Sequence, residues 1–262
     1  MGHSLTGLHC MFFDVSHSVP SFYHPILGIE DFMIDISAII VAAGNSSRMG
    51  TADKIFADLC GKPLFQYTLE AFIRCRIFQR IVLVLSKDNL NRARELLSSF
   101  VKREELGRIY LIQGGRRRQD SVRIGLESLP KCKWVAIHDG ARPCVTSELI
   151  MRGVQAVELN SALIPVVPLT DTVKRVDSFG RVVDTLDRSL LYSVQTPQFF
   201  DYEDLSAVHA RLSRETFTDD SGMFEMTGRK VIIFEGSGEN IKVTVPADIV
   251  IAQAILSARI EG

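Results

Sequence analysis

No apolar stretch of the sequence approaches the ~18 residues that a helix needs to span a bilayer. No C-x-x-C pair occurs: Cys10, Cys60, Cys75, Cys132 and Cys144 are scattered and odd in number. That argues against a zinc site or a disulfide framework and fits a reducing cytosol. Neither sign of charge is in excess, with 30 Lys and Arg against 31 Asp and Glu. No global field therefore favours nucleic acid or a membrane surface, and any anion-binding character is local. Repeats and low-complexity tracts are absent too. Residues 1–35 contain no Lys or Arg, yet hold four of the six histidines. A secretory signal needs a basic start and a transit peptide is rich in Arg, so neither fits. This segment reads as an upstream extension, poorly ordered over much of its length, with Met33 a natural alternative start. An appended segment packing its aromatics on the body is the other reading. Its histidines are read as incidental, not as metal ligands.

What is present is an alternation of short apolar runs with amphipathic segments. Runs at Ile39–Val41, Arg80–Leu85, Ile109–Ile112, Trp134–Ile137 and Ala162–Val167 predict strands. Leu64–Phe72, Leu90–Phe100 and Asp201–Leu212 have helical spacing. This is the pattern of an α/β fold, a Rossmann-like and mostly parallel twisted sheet with helices on both faces. Residues 36–262 suit a single domain of this kind, in which ligands bind beyond the carboxyl ends of the strands. Residues 170–186 alternate around Ser178-Phe179-Gly180 like a hairpin, too poor in apolar surface to be stable alone. Packing against another subunit is the expectation.

Four stretches carry chemistry. Ile39-Ile40-Val41-Ala42-Ala43-Gly44-Asn45-Ser46-Ser47-Arg48-Met49-Gly50 is a strand ending in small residues, then a polar loop closed by Lys54. Small residues let backbone N–H groups approach a triphosphate, and Arg48 and Lys54 add fixed positive charge. By spacing alone an ordinary strand-to-helix turn is equally good. Gly114-Gly115-Arg116-Arg117-Arg118-Gln119-Asp120-Ser121-Val122 pairs two glycines with a hydroxyl at a helix start. Three adjacent arginines are otherwise most often a solvated run. In Trp134-Val135-Ala136-Ile137-His138-Asp139-Gly140-Ala141-Arg142-Pro143, a strand ends on a carboxylate suited to Mg²⁺. Helix capping toward Thr146–Leu149 is the alternative for Asp139, Arg142 could hold a phosphate or a neighbouring loop, and His138 reads as structural. In Asn240-Ile241-Lys242-Val243-Thr244-Val245-Pro246-Ala247-Asp248, Lys242 sits among apolar neighbours on an expected short strand, where a lysine needs a partner. Thr244 and Asp248 read as structural. Asp219 and Asp220 read as helix-capping residues in preference to a metal pair.

From about Ile36 to the C-terminus, these strings resemble in order and spacing the 2-C-methyl-D-erythritol 4-phosphate cytidylyltransferases, a family of the non-mevalonate isoprenoid route. The resemblance implies that Ala42, Ala43, Gly44, Gly115, Ser121 and Ala141 bind CTP. It implies that Arg48, Lys54 and Lys242 are catalytic, Lys242 also binding substrate phosphate, with Asp139 as ligand of Mg²⁺ or a similar divalent cation. Arg142, Thr172, Arg188 and Thr196 would bind the second substrate, Thr196 within the family's Thr-Pro-Gln-Phe-Phe string. The hairpin, at about 168–190, would be an arm crossing a homodimer interface, so that Arg188 acts on the partner's polyol phosphate. Four positions depart from the pattern. Asp53-Lys54-Ile55 stands where the family often has Pro-Lys-Gln, Arg116 where some members carry an acid, and Gly140 where Ala is common.

The implied reaction transfers CMP from CTP to 2-C-methyl-D-erythritol 4-phosphate, giving 4-diphosphocytidyl-2-C-methyl-D-erythritol and pyrophosphate. Ribitol 5-phosphate cytidylyl transfer is the nearest alternative, and a non-catalytic CTP-binding regulatory protein a further one. The expected partners are CTP and a polyol phosphate, without nucleic acid or membrane, in a bacterial cytoplasm.

Overall fold

The computed structural model describes residues 34–44, 53–157 and 162–261. Residues 1–33, with the expected extension, and Arg48 lie outside the described residues. Strand β1 (Ile36–Ala42) is followed by a small hairpin, β2 (Asp58–Leu59) and β3 (Lys62–Pro63), and helix α1 (Leu64–Cys75). Next come β4 (Phe78–Leu85), α2 (Leu90–Phe100), α3 (Arg103–Leu106), β5 (Ile109–Gln113), α4 (Arg118–Ser128) and β6 (Trp134–Asp139). Then follow α5 (Ser147–Ala156), β7 (Ala162–Pro168), β8 (Lys174–Val176), β9 (Val182–Thr185), β10 (Tyr192–Val194) and β11 (Gln198–Asp201). The chain closes with α6 (Tyr202–Arg211), α7 (Asp220–Met226), β12 (Ile232–Glu235) and α8 (Pro246–Glu261).

The central sheet runs β10-β7-β11-β6-β1-β4-β5, with β12 paired parallel to β7. The β1, β4, β5 and β6 pairings are parallel, while β10 and β11 run antiparallel to their neighbours. Strand β1 is central, and its residues are almost all buried because both of its faces are covered. Ile36, Ala38 and Ile40 point to one layer with Phe65, Phe72 and Ile150, which are carried by α1 and α5. Ile39 points to the other with Val122, Leu126, Leu205 and Phe224, from α4, α6 and α7. The period of two in the strand thus feeds two separate helical layers. Helix α8 forms a third cluster with Leu59, Leu64, Tyr67 and Val243.

Ile34 and Asp35 belong to the body although the sequence counts them with the extension. Ile34 packs on the core, and the Asp35 carbonyl accepts the Trp134 N–H at 2.9 Å. The segment around Lys242 forms no strand, contrary to expectation. The Val243 N–H reaches the Ala141 carbonyl at 2.8 Å, while its own carbonyl accepts from the Lys54 ammonium at 3.3 Å, so no ladder continues. The hairpin is present as β8 and β9, a two-stranded sheet of its own. It leaves Phe179 81% and Leu190 77% exposed.

Helix α5 starts on Thr146, whose hydroxyl accepts the Leu149 N–H at 3.2 Å. Thr146→Ala should cost about 1 kcal/mol, lowering the melting temperature by about 2–4 °C in a chain of this size. A calorimetric scan reads this shift; an unchanged melting temperature would show that the cap contributes nothing.

Candidate active site

The carboxyl ends of β1 and β6 lie side by side, Val41 in register with Asp139. A cavity of about 270 Å³ opens there. Ala42, Ala43 and Gly44 line it from the end of β1, Gly115 and Ser121 from the loop before α4, and Ala141 from the loop after β6. Lys54, Asp139 and Lys242 complete it, so nine of the residues singled out in the sequence meet at one place. Gly114 explains the close approach of two loops: a Cβ there would sit 2.4 Å from that of Ala43 and 2.7 Å from the Ser121 hydroxyl. The Ser121 hydroxyl instead accepts the Gly115 N–H at 3.1 Å and shapes the loop.

Lys54 begins a short 3-10 turn, Lys54–Phe56, and two of the departures from the family pattern have structural causes there. Asp53 caps the turn, accepting the Ile55 N–H at 3.3 Å and a bond from the Asn89 amide. Ile55 is buried in the core. Arg116 is exposed at the cavity edge.

The charged centre is a wall between this cavity and a second one of about 410 Å³; Arg118, Asp139 and Lys242 line both. Asp139 Oδ1 accepts from Arg118 Nε at 3.0 Å, and Asp139 Oδ2 meets Lys242 Nζ at 2.7 Å. Burial pushes the Asp139 carboxyl upward, but Arg118 and Lys242 outweigh it and hold the group far below the usual carboxylate range. Burial likewise works against the Arg118 charge, and the carboxylates of Asp220 and Asp139 reverse it. Lys242 keeps a side-chain exposure of 40%, so its ammonium serves the cavity as well as the pair. Asp139 is not a helix cap; Thr146 fills that role itself.

Arg142 and Thr196 line the second cavity. Arg142 is buried and donates to the Asn240 carbonyl at 2.7 Å and the Val194 carbonyl at 3.4 Å. Of the two roles open to it from sequence, the structure shows the holding of a neighbouring loop. The Thr196 hydroxyl accepts the Asp139 N–H at 3.0 Å and lies 3.0 Å from His138 Nδ1, which fixes the strand end. A cis peptide joins Thr196 to Pro197. Thr172 and Arg188 line neither cavity. Both are exposed, and the Arg188 guanidinium donates to the Thr170 carbonyl.

His138 is fully buried, which pushes its imidazole down to about 3. The folded chain therefore keeps it neutral where the unfolded chain, with a value near 6.5, takes up a proton. Its contribution to stability should be complete above about pH 6.5 and lost progressively as pH falls toward 3. Urea titrations at several pH values, compared with His138→Asn, test this; an identical pH slope in the two proteins would refute it.

Sequence reading missed Arg118, Asp220 and His209. Arg118 stands in a run of three arginines for which solvation is the alternative reading, yet only Arg116 of the three is exposed. Arg117 pairs with Asp120 at 2.6 Å. Arg118 lies three residues before Ser121 on the same helix, a spacing that places both on one face, and this was the usable signal. Asp219 does cap α7, accepting the Gly222 N–H at 3.1 Å. Asp220 does not cap; it is buried against Arg118 at 2.7 Å and His209 at 3.0 Å.

For a divalent cation, no group of three or more His, Cys, Asp or Glu side chains is gathered among the described residues. A Mg²⁺ ion here would draw most of its ligands from phosphate and water, as this ion commonly does. Asp139 fits that requirement, because each of its oxygens accepts from one cation and a carboxylate has about four lone-pair sites.

A family model described as 2-C-methyl-D-erythritol 4-phosphate cytidylyltransferase matches residues 36–258. A protein of that name from Dehalococcoides mccartyi is 43% identical over 222 residues, covering 84% of this chain and 96% of its own length. Another, from Caldanaerobacter subterraneus, is 39% identical over 228 residues, covering 85% and 99%. Among solved structures, the 4-diphosphocytidyl-2C-methyl-D-erythritol synthase of Anaerococcus prevotii matches with a TM-score of 0.77 at 32% identity. It covers 86% of this chain and 100% of that one. With its sequence matched over residues 36–258 and its fold shared over most of its length, the chain belongs to the 2-C-methyl-D-erythritol 4-phosphate cytidylyltransferase family.

Proposed function

We propose that the chain transfers CMP from CTP to 2-C-methyl-D-erythritol 4-phosphate, yielding 4-diphosphocytidyl-2-C-methyl-D-erythritol and pyrophosphate. One observation carries the chemistry: Lys54, Asp139 and Lys242 converge on the cavity formed by the β1 loop and the Gly114–Ser121 loop. A phosphate oxygen of the polyol attacks the α-phosphorus of CTP in line, and the bond to the β-phosphate oxygen breaks as pyrophosphate leaves. No covalent intermediate with the protein is required, since positioning and charge stabilisation suffice. Arg48 and Lys54 offset the charge growing on the transferring and leaving phosphates. Lys242 serves the α-phosphate and the incoming phosphate from the wall between the two cavities. Mg²⁺ held by Asp139 would supply further positive charge at the triphosphate when bound. Arg48→Ala should lower turnover about 10²–10³-fold, more than it raises KM, and near-normal turnover would end that role.

The exposed arm supports assembly as a homodimer, with Arg188 reaching the partner's polyol phosphate. Thr172 and Arg188 lie outside both cavities of their own chain, as that arrangement requires. Arg188→Ala and Lys242→Ala proteins, each inactive alone, should complement when unfolded together and refolded as a mixture. Random pairing then restores roughly a quarter of the sites, each with Lys242 from one chain and Arg188 from the other. No recovery in a sample shown to be dimeric would place Arg188 in its own chain's site or in none.

The deciding assay is pyrophosphate release from CTP and Mg²⁺ with methylerythritol 4-phosphate or ribitol 5-phosphate in separate reactions. Release with the first alone is the expected result. Release with the second alone moves the enzyme to ribitol phosphate, and silence in both with CTP bound favours a regulatory protein. The relatives' names and identities favour the first.

A further inference from the structure

Behind the charged wall lie two buried groups, His209 and Asp220, that line neither cavity and that the proposed transfer does not use directly. His209 on α6 lies 3.0 Å from Asp220 Oδ1, and Asp220 Oδ2 lies 2.7 Å from Arg118 Nη1. Arg118 Nε then holds Asp139 Oδ1 at 3.0 Å, leaving Asp139 Oδ2 to Lys242 at 2.7 Å. His209 and Asp220 are 2% and 0% exposed.

The geometry of Arg118 is informative. A guanidinium beside a lone carboxylate usually grips it with two parallel bonds. Here the fork is split between two acids, and Nη2 is left buried with no partner. Because Asp220 takes Nη1, only Nε reaches Asp139, and the second Asp139 oxygen stays turned toward Lys242 and the cavities. Without the Asp220 charge, the fork is drawn whole onto Asp139 and turns that carboxylate away from Lys242. His209 holds Asp220 from the far side, and Asp219 fixes the start of the helix that carries it.

We infer that Asp220, braced by His209, sets the orientation of Asp139 through Arg118, so that Asp220 and His209 are positioning residues for the transfer. The inference rests on the transferase reading above. It is the familiar behaviour of outer groups that orient a charged inner one, whose loss commonly costs 10–100-fold in activity.

The test uses the full chain carrying Asp220→Asn, which preserves shape and removes charge. CTP-binding sites are counted by calorimetric titration with CTP and Mg²⁺, and turnover is expressed per binding site. Turnover per site should fall about 10–100-fold while the CTP Kd stays within about threefold of wild type. A purely structural role would reduce the number of competent sites and the melting temperature but leave turnover per site unchanged. A second pair guards against a variant that does not fold: His209→Leu should lose turnover per site, and His209→Gln, which can still donate to Asp220, should restore most of it. A crystal structure of Asp220→Asn should show Arg118 gripping Asp139 with two bonds. Wild-type turnover per site in both Asp220→Asn and His209→Leu overturns the inference. A wild-type enzyme silent in the pyrophosphate assay overturns the transferase reading instead.

Discussion

Lys242→Ala should lower turnover about 10²–10³-fold, the loss expected when one preorganised charge is removed from a developing transition state. Lys242 is the one cation of the wall with substantial side-chain exposure, 40% against 23% for Arg118, and it lines both cavities. A triphosphate in one cavity and an incoming phosphate in the other would meet across it. Its ammonium is already held 2.7 Å from Asp139, so little reorganisation is needed when charge moves toward the α-phosphorus. Removing it also leaves Asp139 facing the phosphates with one cation fewer, which repels them. CTP should therefore bind more weakly as well, but by a smaller factor than turnover falls. Steady-state pyrophosphate release and calorimetric CTP binding separate the two. A Lys242→Ala enzyme with unaltered kcat and a raised KM would show that Lys242 binds the ground state and the transition state equally and adds nothing to the chemical step.

Much of this site could be read in the sequence because each loop follows directly from a strand whose burial fixes its end. Strand β1 is apolar at nearly every position, so Ala42, Ala43 and Gly44 had to fall at the carboxyl end of the sheet. Strand β6 delivers Asp139 in the same way, and α2 spans Leu90–Phe100, the bounds that its periodicity predicts. What stayed hidden depended on partners far away in sequence. Only its spacing to Ser121 marks Arg118 locally, and its acceptors Asp139 and Asp220, which draw it into the interior, lie 21 and 102 residues away. Arg142 lines the second cavity, but its bond to the carbonyl of Asn240, 98 residues on, could not be read from its neighbours in sequence. The segment of Lys242 alternates like a strand, but its neighbours offer a single carbonyl and an ammonium in place of a ladder. The arm is legible as a hairpin and silent about its surroundings, since its exposed Phe179 and Leu190 touch nothing that one chain supplies in a core.

Asp139→Asn should also cost about 10²–10³-fold in turnover, yet move CTP affinity in the opposite direction from Lys242→Ala when no divalent cation is present. The substitution keeps the shape of the side chain, and the Asp139 N–H retains the Thr196 hydroxyl at 3.0 Å, so the strand end stays in place. It removes the anion that neutralises Arg118 and Lys242 in the wall of the nucleotide cavity. Free CTP, itself strongly anionic, then meets a more positive site and should bind at least as tightly as to the wild type. Added Mg²⁺ should strengthen CTP binding in the wild type and much less in the variant, because the carboxylate proposed to share the cation is gone. Turnover falls in both variants because the transfer needs a cation poised against an anion, whereas ground-state binding follows net charge alone. Calorimetric CTP titrations with and without Mg²⁺, set beside pyrophosphate release, give all three quantities. If Asp139→Asn instead weakened binding of free CTP, Asp139 would be acting chiefly by keeping Arg118 and Lys242 in place. Its charge would then serve the architecture of the wall, and the role in holding the cation would fall.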